Sequence, residues 1–156
     1  GVILTAFMLG LVLGTLCAQN ILEQKSRRAM TFYCLAQAGW ILVPLLLPLL
    51  FFGFHETVVS QKGLVIFKFV FGILPVAAGF LGGLQYPLAT YLVSSARGGM
   101  SDESRQAGQL YGIDVFGAAV GALVTGTFLL PMFGINMVAL LCAGINLAVM
   151  VLLLTL

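Results

Sequence analysis

The chain has 156 residues, of which 61% are hydrophobic and only 8% are charged, and its formal net charge is +2. Soluble domains carry about 25% charged residues, so this composition and a mean hydropathy of +1.13 exclude a globular surface that faces water. The small net charge, without a basic run interleaved with aromatic residues, argues against nucleic acid as a partner. We therefore expect a single all-α, polytopic transmembrane domain over residues 1–156.

The sequence begins at Gly1 and enters an apolar segment at once, without the basic region and the cleavage site of a secretory signal. We expect the chain to be a fragment or a subunit of a larger protein. Cys17, Cys34 and Cys142 lie in apolar segments without CxxC spacing, which favours packing over redox or metal chemistry. A single histidine, His55, cannot supply the several ligands of a metal or haem site, so no metal and no cofactor are predicted.

Five apolar segments come close to the roughly 20 residues that a helix needs to cross a bilayer. In chain order they are 2–19, 31–54, 64–84, a segment that begins near 108 and a segment that begins near 135. The third continues through Gly82, Gly83 and Pro87 towards Val93, and these residues predict a kinked or broken helix. A turn near Gly134 separates the last two segments.

Basic residues concentrate in two loops, at 20–30 and 94–107. These loops contain Lys25, Arg27, Arg28, Arg97 and Arg105, whereas the loop after the second segment carries only Lys62. The positive-inside rule places the two basic loops in the cytoplasm. The N-terminus is then outside, and the chain leaves the membrane on the cytoplasmic side after the fifth span.

The fourth segment carries an acid, Asp114, followed after three and seven positions by Gly117 and Gly121. This spacing places the three residues on one helix face, which we expect to face other helices, because lipid would leave the charge unpaired. Intramembrane acids often bind a solute or a proton, so Asp114 is the first candidate for such a site. The other candidates are Tyr111, Asn146 and Gln85. Asn146 lies in mid-membrane and is expected to donate or accept a hydrogen bond across a helix.

Pairs of glycines four positions apart recur along the chain and are typical of transmembrane helices that pack backbone to backbone. They are Gly10 and Gly14, Gly79 and Gly83, Gly108 and Gly112, and Gly117 and Gly121. The first, second and fourth pairs are the predicted helix-packing residues. Other transmembrane helices or subunits, together with membrane lipid, are therefore the expected partners.

Three groups of residues resemble the membrane part of bacterial spermidine-synthase-like proteins, which fuse an MFS-like, transporter-like bundle to an aminopropyltransferase domain. The groups are Phe7, Leu9, Gly10 and Gly14; Gly79, Gly83, Tyr86, Pro87, Leu88 and Ala89; and Gly108, Leu110, Tyr111, Gly117, Ala118, Gly121, Ala122, Gly126, Leu129, Leu130, Pro131 and Gly134. The resemblance implies a multi-pass protein of the bacterial inner membrane. Where the family pattern usually has asparagine and threonine, this chain has Asp114 and Val115.

Two functions remain open from the sequence. The first is a non-catalytic membrane subunit or anchor, which fits the few charges, the short loops and the recurring glycine pairs. The second is a transporter-like half bundle that handles a small polar or cationic, polyamine-like solute through Asp114. No nucleotide-binding glycine loop and no converging nucleophile and base are present, so the chain is not predicted to be an enzyme. An aminopropyltransferase domain, if one belongs to the protein, would lie outside this chain.

Overall fold

The computed structural model describes residues 1–25, 28–54, 61–96 and 103–155, and this part of the chain is helical with no strand. The helices are α1 (Val2–Lys25), α2 (Ala29–Phe54), α3 (Gln61–Ala96), α4 (Glu103–Val124) and α5 (Leu130–Thr155), with a π-helical turn (Thr125–Leu129) between α4 and α5. Helices are the expected form for such apolar segments, because a helix satisfies its backbone groups internally where no water is present. The all-α fold class is confirmed.

Four helical stretches of the described chain are long and apolar enough to cross a membrane. They are Val2–Glu23, Ala29–Leu50, Gly72–Ser95 and Ala107–Thr155. Large apolar side chains are exposed along all of these helices, as expected for a protein whose surroundings are lipid. The chain therefore has the character of a multi-pass membrane protein.

Helices α1 and α3 form the closest helix pair of the fold. Gly10 lies against the backbone of Val76 and Phe80, and Gly14 lies one turn further along both helices. The contacts advance in the same direction on both partners, so α1 and α3 are parallel. A Cβ atom built on Gly10 would overlap the carbonyl oxygen of Val76, which means that the two backbones touch directly. Only glycine permits this approach.

The core lies at the end of the bundle where α1 stops and α2 begins. Its buried members are Ala18, Ala29, Ala36, Leu84 and Leu88, of which Leu88 is fully buried. Small alanines from α1 and α2 leave room for the two leucines of α3, so the three helices close around that end. Helix α5 packs against α2 through a buried patch of Val138, Ala139 and Ala143, whereas α4 contacts α3 and is otherwise exposed.

The prediction for the third segment is a kinked or broken helix, and the broken alternative is wrong, because α3 continues through Gly82, Gly83 and Pro87 as one helix. Gly83 is buried against the backbone of α1, and Leu84 and Leu88 are buried in the core. All three residues can make these contacts only where α3 is helical. Packing thus holds a helix where the local sequence favours a break.

The junction of α4 and α5 contains two irregularities. A π-helical turn covers Thr125–Leu129, and Gly134 has φ 72° and ψ 169°, which interrupts the helical backbone of α5. This combination of angles is accessible essentially to glycine alone. The interruption lies one residue before Ile135, where the sequence predicts that the fifth segment begins.

Candidate functional site

Three side-chain amides form a hydrogen-bonded network across α2, α3 and α5. Gln85 Nε2 donates to Gln37 Oε1 at 2.7 Å, and Gln37 Nε2 donates to Asn146 Oδ1 at 3.0 Å and to the Asn146 carbonyl oxygen at 3.3 Å. Asn146 Nδ2 in turn donates to the carbonyl oxygen of Cys142 at 2.8 Å. Gln37 is only 5% exposed, so these bonds satisfy an amide that would otherwise be costly to bury.

The direction of donation in this amide network is uniform. Gln85 donates to Gln37, Gln37 donates to Asn146, and Asn146 donates to the carbonyl oxygen of Cys142. The orientation of Gln85 is thereby fixed, because its nitrogen must face Gln37. Its carbonyl oxygen accepts no hydrogen bond from the described residues and is left as an acceptor.

A cleft of about 680 Å³ opens beside this network, between α4 and the other helices. Its lining comprises Phe7, Leu11 and Thr15 of α1, Tyr33 and Trp40 of α2, Gly82, Gly83, Gln85, Tyr86 and Ala89 of α3, and Leu110, Tyr111, Ile113 and Asp114 of α4. Most of this surface is apolar or aromatic. A few polar groups on an apolar wall are typical of sites that bind small molecules.

Of the four candidate substrate or proton residues, Asp114, Tyr111 and Gln85 line the same cleft. Asn146 does not line it but is joined to Gln85 through Gln37. Asn146 makes the predicted hydrogen bond to another helix. Within the described part of the chain, Asp114 is exposed and has no ion pair or hydrogen-bond partner, and Tyr111 is 62% exposed.

Two polar contacts fix the helices that form the cleft. Thr15 Oγ1 donates to the carbonyl oxygen of Leu11 at 2.9 Å and lies 3.3 Å from that of Gly83 on α3. Tyr86 Oη donates to the carbonyl oxygen of Ala107 at 3.1 Å, which ties α3 to the start of α4. Both residues also line the cleft.

Sequence reasoning missed Gln37, the central member of the amide network. Its signal was available: Gln37 is an amide inside a strongly apolar helix, where a polar side chain must find a partner. The partner could not be named in advance, because Asn146 lies 109 positions away. The contacts of Thr15 and Tyr86 were also not predicted, since both residue types occur as ordinary helix-packing residues, and Tyr86 was named only among the residues of the resemblance.

The predicted helix-packing glycines have two different environments. Gly10, Gly14, Gly79 and Gly83 are buried between α1 and α3, where an added Cβ would overlap backbone oxygens. In contrast, no described atom lies within 4 Å of a Cβ built on Gly117 or Gly121. We call Asp114, Gly117 and Gly121 the glycine face of α4; Asp114 borders the cleft, and no described residue packs on the two glycines.

No group of three or more metal-ligating side chains occurs among the described residues, and His55 lies outside them. The three cysteines are free, and Cys142 is exposed.

No protein-family model, curated protein or solved structure matches this chain. The resemblance to spermidine-synthase-like proteins stays a prediction from the residues that carry it.

Proposed function

We propose that the chain is a non-catalytic membrane subunit or anchor, which packs the glycine face of α4 against transmembrane helices of a partner. The observation that carries the proposal is the contrast between two glycine motifs of one chain. The motif shared by α1 and α3 is closed by backbone contact, whereas the motif of α4 meets nothing among the described residues.

The α1–α3 pair indicates what such a motif does when it has a partner. Gly79 lies against the backbone of Phe7 and Leu11, so four glycines allow two helices to approach without side chains between them. Helix association in lipid depends on this kind of close packing, because the hydrophobic effect gives helices no preference for each other over lipid. The exposed Gly117 and Gly121 are therefore suited to a helix from outside this chain.

The charge at the end of the glycine face supports the same conclusion. Asp114 lies seven residues after Ala107, where the last apolar stretch begins, which is about 10 Å along a helix. An acid at the centre of a membrane helix costs roughly 2.5–3.5 kcal/mol on insertion scales when it faces lipid. A partner helix over Gly117 and Gly121 would shield this end of α4 from lipid.

The proposed topology has five crossings, with the N-terminus outside and the C-terminus in the cytoplasm of a bacterial inner membrane. Parallel α1 and α3 fit the first and third crossings of an alternating path. The stretch Ala107–Thr155 has 49 residues, or about 74 Å as one helix, against a hydrocarbon core of about 30 Å. Division of this stretch at Gly134 gives the fourth and fifth crossings.

The cleft favours a second candidate function, a transporter-like half bundle for a small polar or cationic solute. Asp114, Tyr111 and Gln85 line it together, and an acid within a membrane segment often binds a solute or a proton. Such a bundle would need further helices to alternate access across the membrane. Under this candidate, Asp114→Asn abolishes uptake and leaves assembly intact, whereas under the anchor proposal the substitution changes no uptake.

Site-specific photocrosslinking in native membranes tests the anchor proposal. Phe116 is exposed and adjacent to Gly117, so a photoreactive benzoylphenylalanine at position 116 leaves both glycines in place. It is expected to give a protein adduct, which Gly121→Ile abolishes by blocking close approach. Val120 is adjacent and exposed, so Val120→Ile adds a similar side chain at a neighbouring position and serves as the matched control. The absence of a protein adduct at 116, or an adduct that survives Gly121→Ile, contradicts the proposal.

A further inference from the structure

We propose that the cleft between α4 and the α1–α3 pair binds a small molecule with one protonated amine and an apolar body. The inference goes beyond the anchor function and does not depend on it. It rests on the acceptors that the cleft presents, on their number and on the nature of its walls.

The polar groups available in the cleft include two acceptors that have no partner among the described residues. Asp114 contributes a carboxylate, which has no hydrogen-bond or ion-pair partner there. Gln85 contributes its carbonyl oxygen, which accepts no bond from the described residues, while one of its two N–H donors is used by Gln37 at 2.7 Å. A carboxylate and a fixed carbonyl favour a ligand rich in donors, and an ammonium group offers up to three.

The amide network makes the preference of Gln85 directional. A free glutamine can turn its amide and present either a donor or an acceptor to a ligand. The Gln37 nitrogen donates to Asn146 at 3.0 Å, so the Gln37 oxygen lies on the side of Gln85. It can therefore accept a hydrogen bond only from the Gln85 nitrogen. Gln37 is thus a positioning residue, since it fixes the direction of the Gln85 nitrogen and leaves the Gln85 carbonyl oxygen without a partner among the described residues.

The walls and the single acid define the rest of the ligand. Trp40, Tyr33 and Tyr111 offer aromatic surface, and Phe7 and Leu11 add apolar surface. Aromatic rings both pack against an apolar body and attract a cation to their faces. Asp114 is the one acid that lines the described cleft, so a linear polyamine would leave further charges unpaired.

An ammonium of this kind has two sources, a soluble amine and the ethanolamine headgroup of a phospholipid. Both present the same donors to Asp114 and Gln85, and a bilayer that contains or lacks phosphatidylethanolamine distinguishes them. A headgroup in the cleft competes with an added amine and weakens its apparent affinity only where that lipid is present.

The test is a fluorescence titration of the full chain in lipid nanodiscs. Trp40 is the only tryptophan and lines the cleft, so its emission reports occupancy directly. The probes are phenethylamine, the neutral isostere 2-phenylethanol and the triamine spermidine, each in nanodiscs with and without phosphatidylethanolamine. We expect saturable binding of phenethylamine, at least about tenfold tighter than that of either other probe, since charge-assisted hydrogen bonds are the stronger ones.

Variants connect the binding to the named residues. Asp114→Asn keeps the shape and removes the charge, and is expected to weaken phenethylamine binding about tenfold or more while 2-phenylethanol is unaffected. Gln85→Leu is expected to weaken phenethylamine binding about three- to tenfold, whereas Gln109→Leu, at an exposed position of α4 outside the cleft, changes nothing. Gln37→Leu frees Gln85 to turn, so the ratio of amine to alcohol affinity falls.

Equal affinity for the amine and the alcohol, no change of Trp40 emission, or unchanged amine binding in Asp114→Asn each overturns the inference. If Gln85→Leu does not change the ratio of amine to alcohol affinity, the role of the amide network is overturned. This test holds even where Gln37→Leu fails to fold. Tighter binding of spermidine than of phenethylamine would overturn the assignment of a single amine. Failure of the titration leaves the crosslinking at position 116 untouched, so the two proposals fail separately.

Discussion

The contact between α1 and α3 predicts that one methyl group at Gly79 separates the two helices. A Cβ atom on Gly79 would overlap the carbonyl oxygen of Phe7 and lie 3.0 Å from the backbone nitrogen of Leu11. These atoms belong to a helix backbone and cannot rotate aside as a flexible side chain would. Gly79→Ala therefore forces the two helices apart, because no change of a side-chain rotamer can make room for the methyl group.

The magnitude follows from two opposing effects. Overpacking of a close contact costs typically 1–3 kcal/mol, and replacement of a mid-helix glycine by alanine contributes about 0.5–1 kcal/mol in the other direction. With the middle of each range, the net loss in the free energy of unfolding is about 1 kcal/mol. For a chain of this size, we expect a fall in melting temperature of roughly 2–4 °C.

Gly72→Ala is the matched control, because Gly72 is also a glycine of α3 but has no described atom within 4 Å of an added Cβ. Here only the helix propensity acts, so the melting temperature is expected to stay or to rise by a few degrees. Thermal unfolding in one mild detergent, followed by the fluorescence of Trp40 and by circular dichroism, compares the two variants.

A double variant separates helix displacement from a purely local effect. Gly10 belongs to the same interface, so the displacement caused by Gly79→Ala already makes room for a methyl group at Gly10. The cost of the double variant Gly10→Ala and Gly79→Ala is therefore expected to be smaller than the sum of the two single costs. Equal melting temperatures for Gly79→Ala and Gly72→Ala would falsify the packing of α1 on α3 described above.

Two further predictions concern the polar contacts. Gln37→Leu is expected to lower the free energy of unfolding by about 1–3 kcal/mol, because the amides of Gln85 and Asn146 lose their partner. Thermal unfolding measures this loss. A variant as stable as the parent contradicts the network. Tyr86→Phe removes the hydroxyl that donates to Ala107 at 3.1 Å. The rate of amide hydrogen exchange is expected to rise at the start of α4, while the global free energy of unfolding falls by no more than about 1 kcal/mol. Unchanged exchange there shows that this bond does not hold α4.

Much of the helical framework follows from the sequence, because a continuous apolar segment of about 20 residues satisfies its backbone in lipid by forming a helix. The second segment was predicted from Thr31 to Phe54, and α2 covers Ala29–Phe54. The third was harder, since Gly83 and Pro87 weaken a helix locally, and only the burial of Gly83 against α1 explains why α3 continues. Contacts between distant helices decide such cases, and no local pattern contains them.

The candidate site was predictable in its residue types but not in its arrangement. An acid and amides inside apolar helices can be recognised as site candidates from the sequence, because each needs a polar partner in lipid. That Asp114 and Gln85 share one cleft depends on how α4 lies beside α3, and that Asn146 reaches Gln85 depends on Gln37. Likewise, identical glycine spacing at Gly79 and Gly117 gave no indication that only the first would be covered.

The parallel contact of α1 with α3 also constrains how the molecule is made. The two strips of bare backbone belong to the first and third helices, so neither can be covered while the ribosome is still synthesising the segment between them. Helix α1 must wait in the bilayer, or beside the insertion machinery, until Gly79 and Gly83 emerge. A slow stretch of translation before Gly79 would prolong that wait, and the yield of folded protein should then depend on synonymous codon choice across residues 55–71.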